Sequence, residues 1–195
     1  MIGVVVARAA PAAAGAPDFT QEELLTLPHA CLAQQFINEL LESPAVPEPE
    51  RVELLKTLGH SFIHYHHYCW ALLYEDRAAR PGGDKFNYHR AVDNLDYVIR
   101  NADPSFALLP EVYLQKGKVL ERTGKGAAAV AEYRNALRAN PDYTPAYVAL
   151  ARHYVDAGDS AAAGAVLAEG LARDPSSKVL ADALAALGEP GPASP

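Results

Sequence analysis

Basic side chains are in short supply. The 195 residues hold 17 Lys and Arg against 24 Asp and Glu, for a net charge of −7. No stretch gathers cations into a stripe, so a nucleic-acid partner is not expected. Long apolar runs are missing too. None approaches the roughly 18 residues of a membrane-spanning helix, so no membrane span is expected. The sequence also lacks a GxSxG elbow, a phosphate-binding loop and a GxGxxG turn. Gly124-Lys125-Gly126 reads as a turn between helices, and Asp84 and Asp93 are scattered, solvated carboxylates. No catalytic residue is assigned and no enzymatic activity is expected. Cysteine is nearly absent, with only Cys31 and Cys69.

What is present favours helix. Half the residues are hydrophobic and 21% are charged, enough apolar material for a real core. Alanine is abundant and β-branched residues form no long runs, which suits helix. Residues 1–17 stand apart. A short apolar patch precedes small residues, and Arg8 is the sole charged side chain there. Two readings stand. One is the tail of an export signal whose true start lies upstream, with a cleavage-like Ala-Ala-Gly-Ala before Pro17. The other is a disordered Ala/Pro leader. The first places the protein in the periplasm or outside the cell, the second in the cytoplasm. The cysteines follow the same fork: a disulfide in an oxidising compartment, two buried thiols in a reducing one.

Along the chain, Thr20 followed by Glu23 has the spacing of a capping box. Pro28 can open a helix over 29–42, with Leu32, Phe36, Leu40 and Leu41 near helical spacing. Three prolines mark 43–50 as a linker. A single long helix is expected over 51–80, stopped at Pro81-Gly82-Gly83, and another over 85–101. The organisation is therefore a leader at 1–17, N-terminal helices and linker at 18–50, and a histidine-rich helix with a degenerate repeat at 51–109. Two repeats and a capping helix follow at 110–187, with a disordered tail at 188–195.

The repeat shows when residues 110–141 are set on 144–175, an offset of 34. Tyr113 meets Tyr147, Gly124 meets Gly158, Ala127–Ala129 meet Ala161–Ala163, Leu137 meets Leu171, and Pro141 meets Pro175. A weaker copy precedes them in Ala91, Leu95, Val98 and Pro104. Small residues at Gly117/Ala129 and Ala151/Ala163 let paired helices approach, and Gly124 and Gly158 supply left-handed turns. A 34-residue helix–turn–helix beat with these residues resembles the tetratricopeptide repeat. Leu167 departs from the family pattern, which has an aromatic there. The resemblance implies an all-α, solenoid-like array of helix pairs with an N-terminal helical extension and a C-terminal capping helix.

The family's array presents a concave surface lined by the first helix of each pair. By resemblance, the groove positions are Glu111, Leu114, Lys118 and Arg122, then Pro145, Val148, Arg152 and Asp156. Such a surface suits a protein or peptide partner, with cations fixing a carboxylate. The expected function is a non-enzymatic binding scaffold or adaptor, with no cofactor.

A second reading rests on histidines. Four of the seven lie between His60 and His67. On a continuous helix at about 100° per residue, His60, His64 and His67 share one face, and Leu58, Phe62, Tyr65 and Cys69 share the opposite one. His60 and His64 at i,i+4 can chelate a transition metal, with His67 as third ligand, or the face can serve haem. The competing reading is packing of flat rings between helices. His66 to Trp70 (His-His-Tyr-Cys-Trp) resembles a segment of some bacterial tetratricopeptide-repeat proteins. Cys69 on the apolar face can meet Cys31 if the two helices pack antiparallel.

Overall fold

A computed structural model describes residues 18–41, 43 and 45–188, with the backbone alone at 35 and 36. The expected leader at 1–17, the tail beyond 188, Glu42 and the Phe36 side chain lie outside the described residues. Among those residues every regular element is helical. In chain order they are α1 (Gln21–Leu25), α2 (His29–Ala33), α3 (Gln35–Leu40), α4 (Glu48–Leu58), a 3-10 segment (His60–Tyr65), α5 (His66–Ala79), α6 (Phe86–Asn101), α7 (Leu109–Arg122), α8 (Gly126–Ala139), α9 (Thr144–Asp156), α10 (Ser160–Arg173) and α11 (Lys178–Gly188).

The last seven helices form three hairpins and a cover. α5 packs on α6, α7 on α8, and α9 on α10, with α11 against α10. Successive hairpins join through α6–α7 and α8–α9, and α7 also touches α9. The turns inside the second and third hairpins pass through Gly124 and Gly158 at φ +74° and +78°. A side chain is strained in that region, which is why glycine stands at both points. The degenerate pair uses the same spacing of buried residues. Ala91, Leu95 and Val98 are fully buried, like Ala129, Tyr133 and Ala136 one repeat later.

Small residues set the distances between helices. A Cβ on Gly117 would sit 2.3 Å from Cε1 of Tyr133 on α8. The glycine therefore leaves room for a ring rather than for a second helix backbone. Gly170 does the same for Tyr147 and Leu180, whose atoms lie 2.9 Å from its imagined Cβ. Leu167, where the family pattern has an aromatic, is 1% exposed and fills its place in the core. Charge adds to the packing: Lys116 on α7 bridges Asp96 on α6 and Glu132 on α8, at 2.7 Å each.

The N-terminal third departs from the expected elements in three places. The helix expected over 29–42 is two short ones. Gln34 between them is extended (φ −66°, ψ 129°) and caps α3, its side-chain oxygen accepting from Ile37 N. Its amide donates to Ile63 O at 3.2 Å, so the buried Gln34 side chain is used at both ends. The linker is shorter than expected. α4 starts at Glu48 with Pro49 in its first turn, where the missing N–H costs nothing. Asn38 Oδ1 accepts from Ala45 N, and Val46 is buried.

The long helix over 51–80 is also broken. Gly59 at φ +74° ends α4, the 3-10 segment follows, and α5 begins at His66. The tighter winding of the 3-10 segment changes the angular phase of every histidine within it.

Two tethers hold this third onto α5. The capping box is present, with Thr20 Oγ1 accepting from Glu23 N and Thr20 N donating to Glu23 Oε2. Glu23 in turn accepts from Nε and Nη2 of Arg77 at 2.7 Å each. Arg77 also lies over the Phe19 ring at 4.6 Å. The second tether is covalent. Cys31 and Cys69 form a disulfide with Cα atoms 5.6 Å apart, and both residues are fully buried.

Candidate functional site

α7 and α9 touch and carry the residues of the expected groove wall. Leu114 is 5% exposed and belongs to the core beneath this wall rather than to its surface. Pro145 and Asp156 are exposed, and Val148 is half-buried. Glu111 is not a free acceptor. Tyr68 donates to its Oε1 at 2.8 Å and Tyr65 to its Oε2 at 3.1 Å. Burial, and then neighbouring groups including Glu111, push both phenols far above the ordinary tyrosine range. The pair anchors the start of α7 to the 3-10 segment and α5.

Further along the wall, cations and carboxylates alternate. Arg122 Nε donates to Glu75 Oε1 at 2.9 Å, and Gln115 donates to the other Glu75 oxygen. Burial raises the Glu75 carboxyl, while Arg122 and Lys118 pull against it. Glu121 receives His153 Nδ1 at 2.9 Å and Arg152 Nη2 at 3.8 Å. Burial, and then Glu121, push the Tyr133 phenol up beneath them. The Arg122 and Arg152 side chains remain 53% and 60% exposed. Lys118 is half-buried and makes no ion pair among the described residues. Glu75, Gln115 and Glu121 are absent from the groove positions implied by the family resemblance. Nothing in their local sequence marks them, because Glu75 meets Gln115 across 40 residues.

The histidines do not form a metal set. His67 stacks on Tyr97 at 3.8 Å and its Nδ1 lies 2.6 Å from Asn94 Oδ1. His64 meets the edge of the same Tyr97 ring. His60 is exposed and lines a cavity beside α4. Among the described residues, no group of three or more His, Cys, Asp or Glu side chains could hold a metal ion. The physical reason is the 3-10 winding of His60–Tyr65 and its switch to α-helix at His66, since the shared face existed only on a continuous α-helix. His66 Nδ1 lies 2.7 Å from Ile63 O, and its ring meets those of His67 and Trp70 at 4.4 and 4.8 Å. Burial lowers His66 to about 4 and His67 below its ordinary value. These rings pack and hydrogen-bond between helices as neutral groups.

No helix among the described residues is long and apolar enough to cross a membrane. No curated protein matches the chain. A family model for the tetratricopeptide repeat matches residues 121–187, which take in the end of α7 through α11. Its three stacked hairpins and covering helix are thus a helical-repeat array, and residues 121–187 of the chain are tetratricopeptide repeats.

Proposed function

We propose that this chain is a non-enzymatic binding module that holds an acidic protein segment against the wall of α7 and α9. Tetratricopeptide repeats generally serve protein–protein interaction, which supports the class of partner. The observation that carries the choice of an acidic segment is the trio Lys118, Arg122 and Arg152. Lys118 has no ion-pair partner among the described residues, and the two arginines are more than half exposed while each holds one carboxylate. A guanidinium so placed has donors left for a second carboxylate. Val148 offers an apolar contact between them. Glu75 and Glu121 orient the cations and do not cancel them.

The test is a titration of the full chain with acidic and charge-neutral peptides of equal length. The acidic series binds more tightly, and its affinity falls with added salt. Lys118→Ala with Arg152→Ala weakens it by about 30- to 1,000-fold, at about 1–2 kcal/mol for each of the two contacts. Equal binding of neutral peptides, or no change in the double variant, would overturn the reading. The buried Cys31–Cys69 bridge supports placing this activity in an oxidising compartment outside the cytoplasm.

A further inference from the structure

A cavity of about 580 Å³ lies outside the repeats, between α3, α4 and the 3-10 segment. That volume is in the range of small-molecule sites, roughly 300–1,000 Å³. Gln34 and Asn38 add polar groups to its wall, and Leu41, Val52, Leu55, Phe62 and Ile63 form an apolar part of it. Three of them stand unusually open for residues of their size, Val52 at 43% and Leu55 and Ile63 at 48%. α4 itself has no buried residue along its whole length. A helix in a folded domain normally buries an apolar stripe against a neighbour. Here Leu54 and Leu58 pack partly against the core, while Val52 and Leu55 face the cavity without filling it.

One cation sits in this wall. Arg51 lines the cavity, and its Nε is shut away from solvent with no hydrogen-bond acceptor among the described residues. A buried guanidinium donor without an acceptor is uncommon and unfavourable. The acidic groups of the cavity do not serve it. Glu39 and Glu48 are exposed residues at its mouth, as is His60. The back wall is fixed, because Gln34 donates to Ile63 O and Cys31 is bridged to Cys69 three residues before it.

We propose that this cavity binds a small amphiphilic carboxylate, an acid with an unbranched apolar tail. The tail covers Val52, Leu55 and Ile63, and the carboxylate accepts from Arg51. The apolar wall supplies affinity that grows with tail length, and the lone guanidinium selects the acid over the corresponding alcohol. The site is separate from the α7–α9 wall and does not depend on it.

The test is calorimetric titration of the full, oxidised chain with hexanoate, octanoate and decanoate, each below its micelle concentration, and with decanol. Binding is saturable at one site. Affinity rises about fourfold per added methylene until the cavity is full. Decanoate exceeds decanol at least tenfold. Arg51→Met abolishes that preference and leaves decanol binding in place, while thermal unfolding shows the variant folded. Lys118→Ala with Arg152→Ala leaves decanoate binding unchanged. Three results would each overturn the proposal: no saturable decanoate binding, affinity independent of tail length, or an acid preference that survives in Arg51→Met. As a folded second variant, Leu55→Gln on the exposed wall weakens both acid and alcohol. Unaltered binding there also overturns it.

Discussion

Replacing Gly117 by alanine tests how the repeat hairpin closes. In an ordinary helix interior the change stabilises, by about 1 kcal/mol, because alanine loses less conformational freedom. At this position the new methyl would lie 2.3 Å from Cε1, 2.6 Å from Cδ1 and 3.0 Å from Cζ of Tyr133. The ring cannot swing aside freely, since Tyr133 is fully buried among core neighbours. Overpacking of this kind costs about 1–3 kcal/mol, and so short a contact belongs at the upper end. The net expectation is a loss of about 2 kcal/mol, the overpacking cost less the helix gain. For a chain of this size that is a fall of about 4–8 °C in Tm.

Gly164 on α10 is the internal control. A methyl there meets only the tips of Leu187 and Leu184, at 3.9 and 4.0 Å. Gly164→Ala should therefore gain about 1 kcal/mol, which sets the two variants about 3 kcal/mol apart. Urea unfolding followed by far-ultraviolet circular dichroism reads both, provided the slope with denaturant is unchanged. The penalty of Gly117→Ala should largely disappear in a Tyr133→Leu background, which removes the ring it strikes. If Gly117→Ala is as stable as the parent, or its cost is the same without the ring, the account of the hairpin is wrong.

Replacing Cys31 and Cys69 together by alanine should cost about 4 kcal/mol for a 38-residue loop on the chain-entropy argument, seen as a lower Tm, and native protein should show no titratable thiol. Acid should destabilise the fold in two successive windows. Burial lowers His66 from 6.5 to about 4, so the unfolded chain takes up a proton that the folded chain refuses, and stability falls from pH 6.5 towards 4. Arg77 lowers Glu23 from 4.5 to about 2, so its contribution is whole above 4.5 and is lost as pH falls towards 2. Urea unfolding across pH should show a smaller upper window in His66→Phe, where His67 still contributes, and lose the lower one in Glu23→Gln. Lys116→Met should cost about 2 kcal/mol, between the limits for exposed and buried pairs, because it strands Glu132 and Asp96 together. Restoring neutrality with Glu132→Gln should recover much of that loss.

The repeats were legible because their signal is periodic. Gly124 and Gly158 recur 34 residues apart, and a left-handed turn accepts few other residues. The capping box was legible because its two partners sit within one turn. Gly59 was harder to read. It lies in an apolar, aromatic stretch whose wheel looks continuous, and one glycine is compatible with a helix interior. Its left-handed φ ends α4, and the 3-10 winding that follows over His60–Tyr65 removes the face that the histidines were expected to share. Gln34 is ordinary in sequence, and only its reach to Ile63, 29 residues away, explains the break it makes. The same holds for Glu23 and Arg77, which meet across 54 residues. Pairings of that length leave no local mark. Of the groove, the exposed cations could be placed from the repeat register, whereas the carboxylates that hold them could not.

The two ends of the array are sealed by different means. At one end a covalent bridge and the Glu23–Arg77 pair lock the first third onto α5. At the other, α11 has a single buried side chain, Leu180, seated against Gly170 and Tyr147. Order in a stacked array melts from its weaker terminus inward. Amide hydrogens should therefore exchange fastest in α11 and then α10, and slowest around α5. The molecule has a fixed heel and a loose toe, and a partner gripping α9 would steady the toe first.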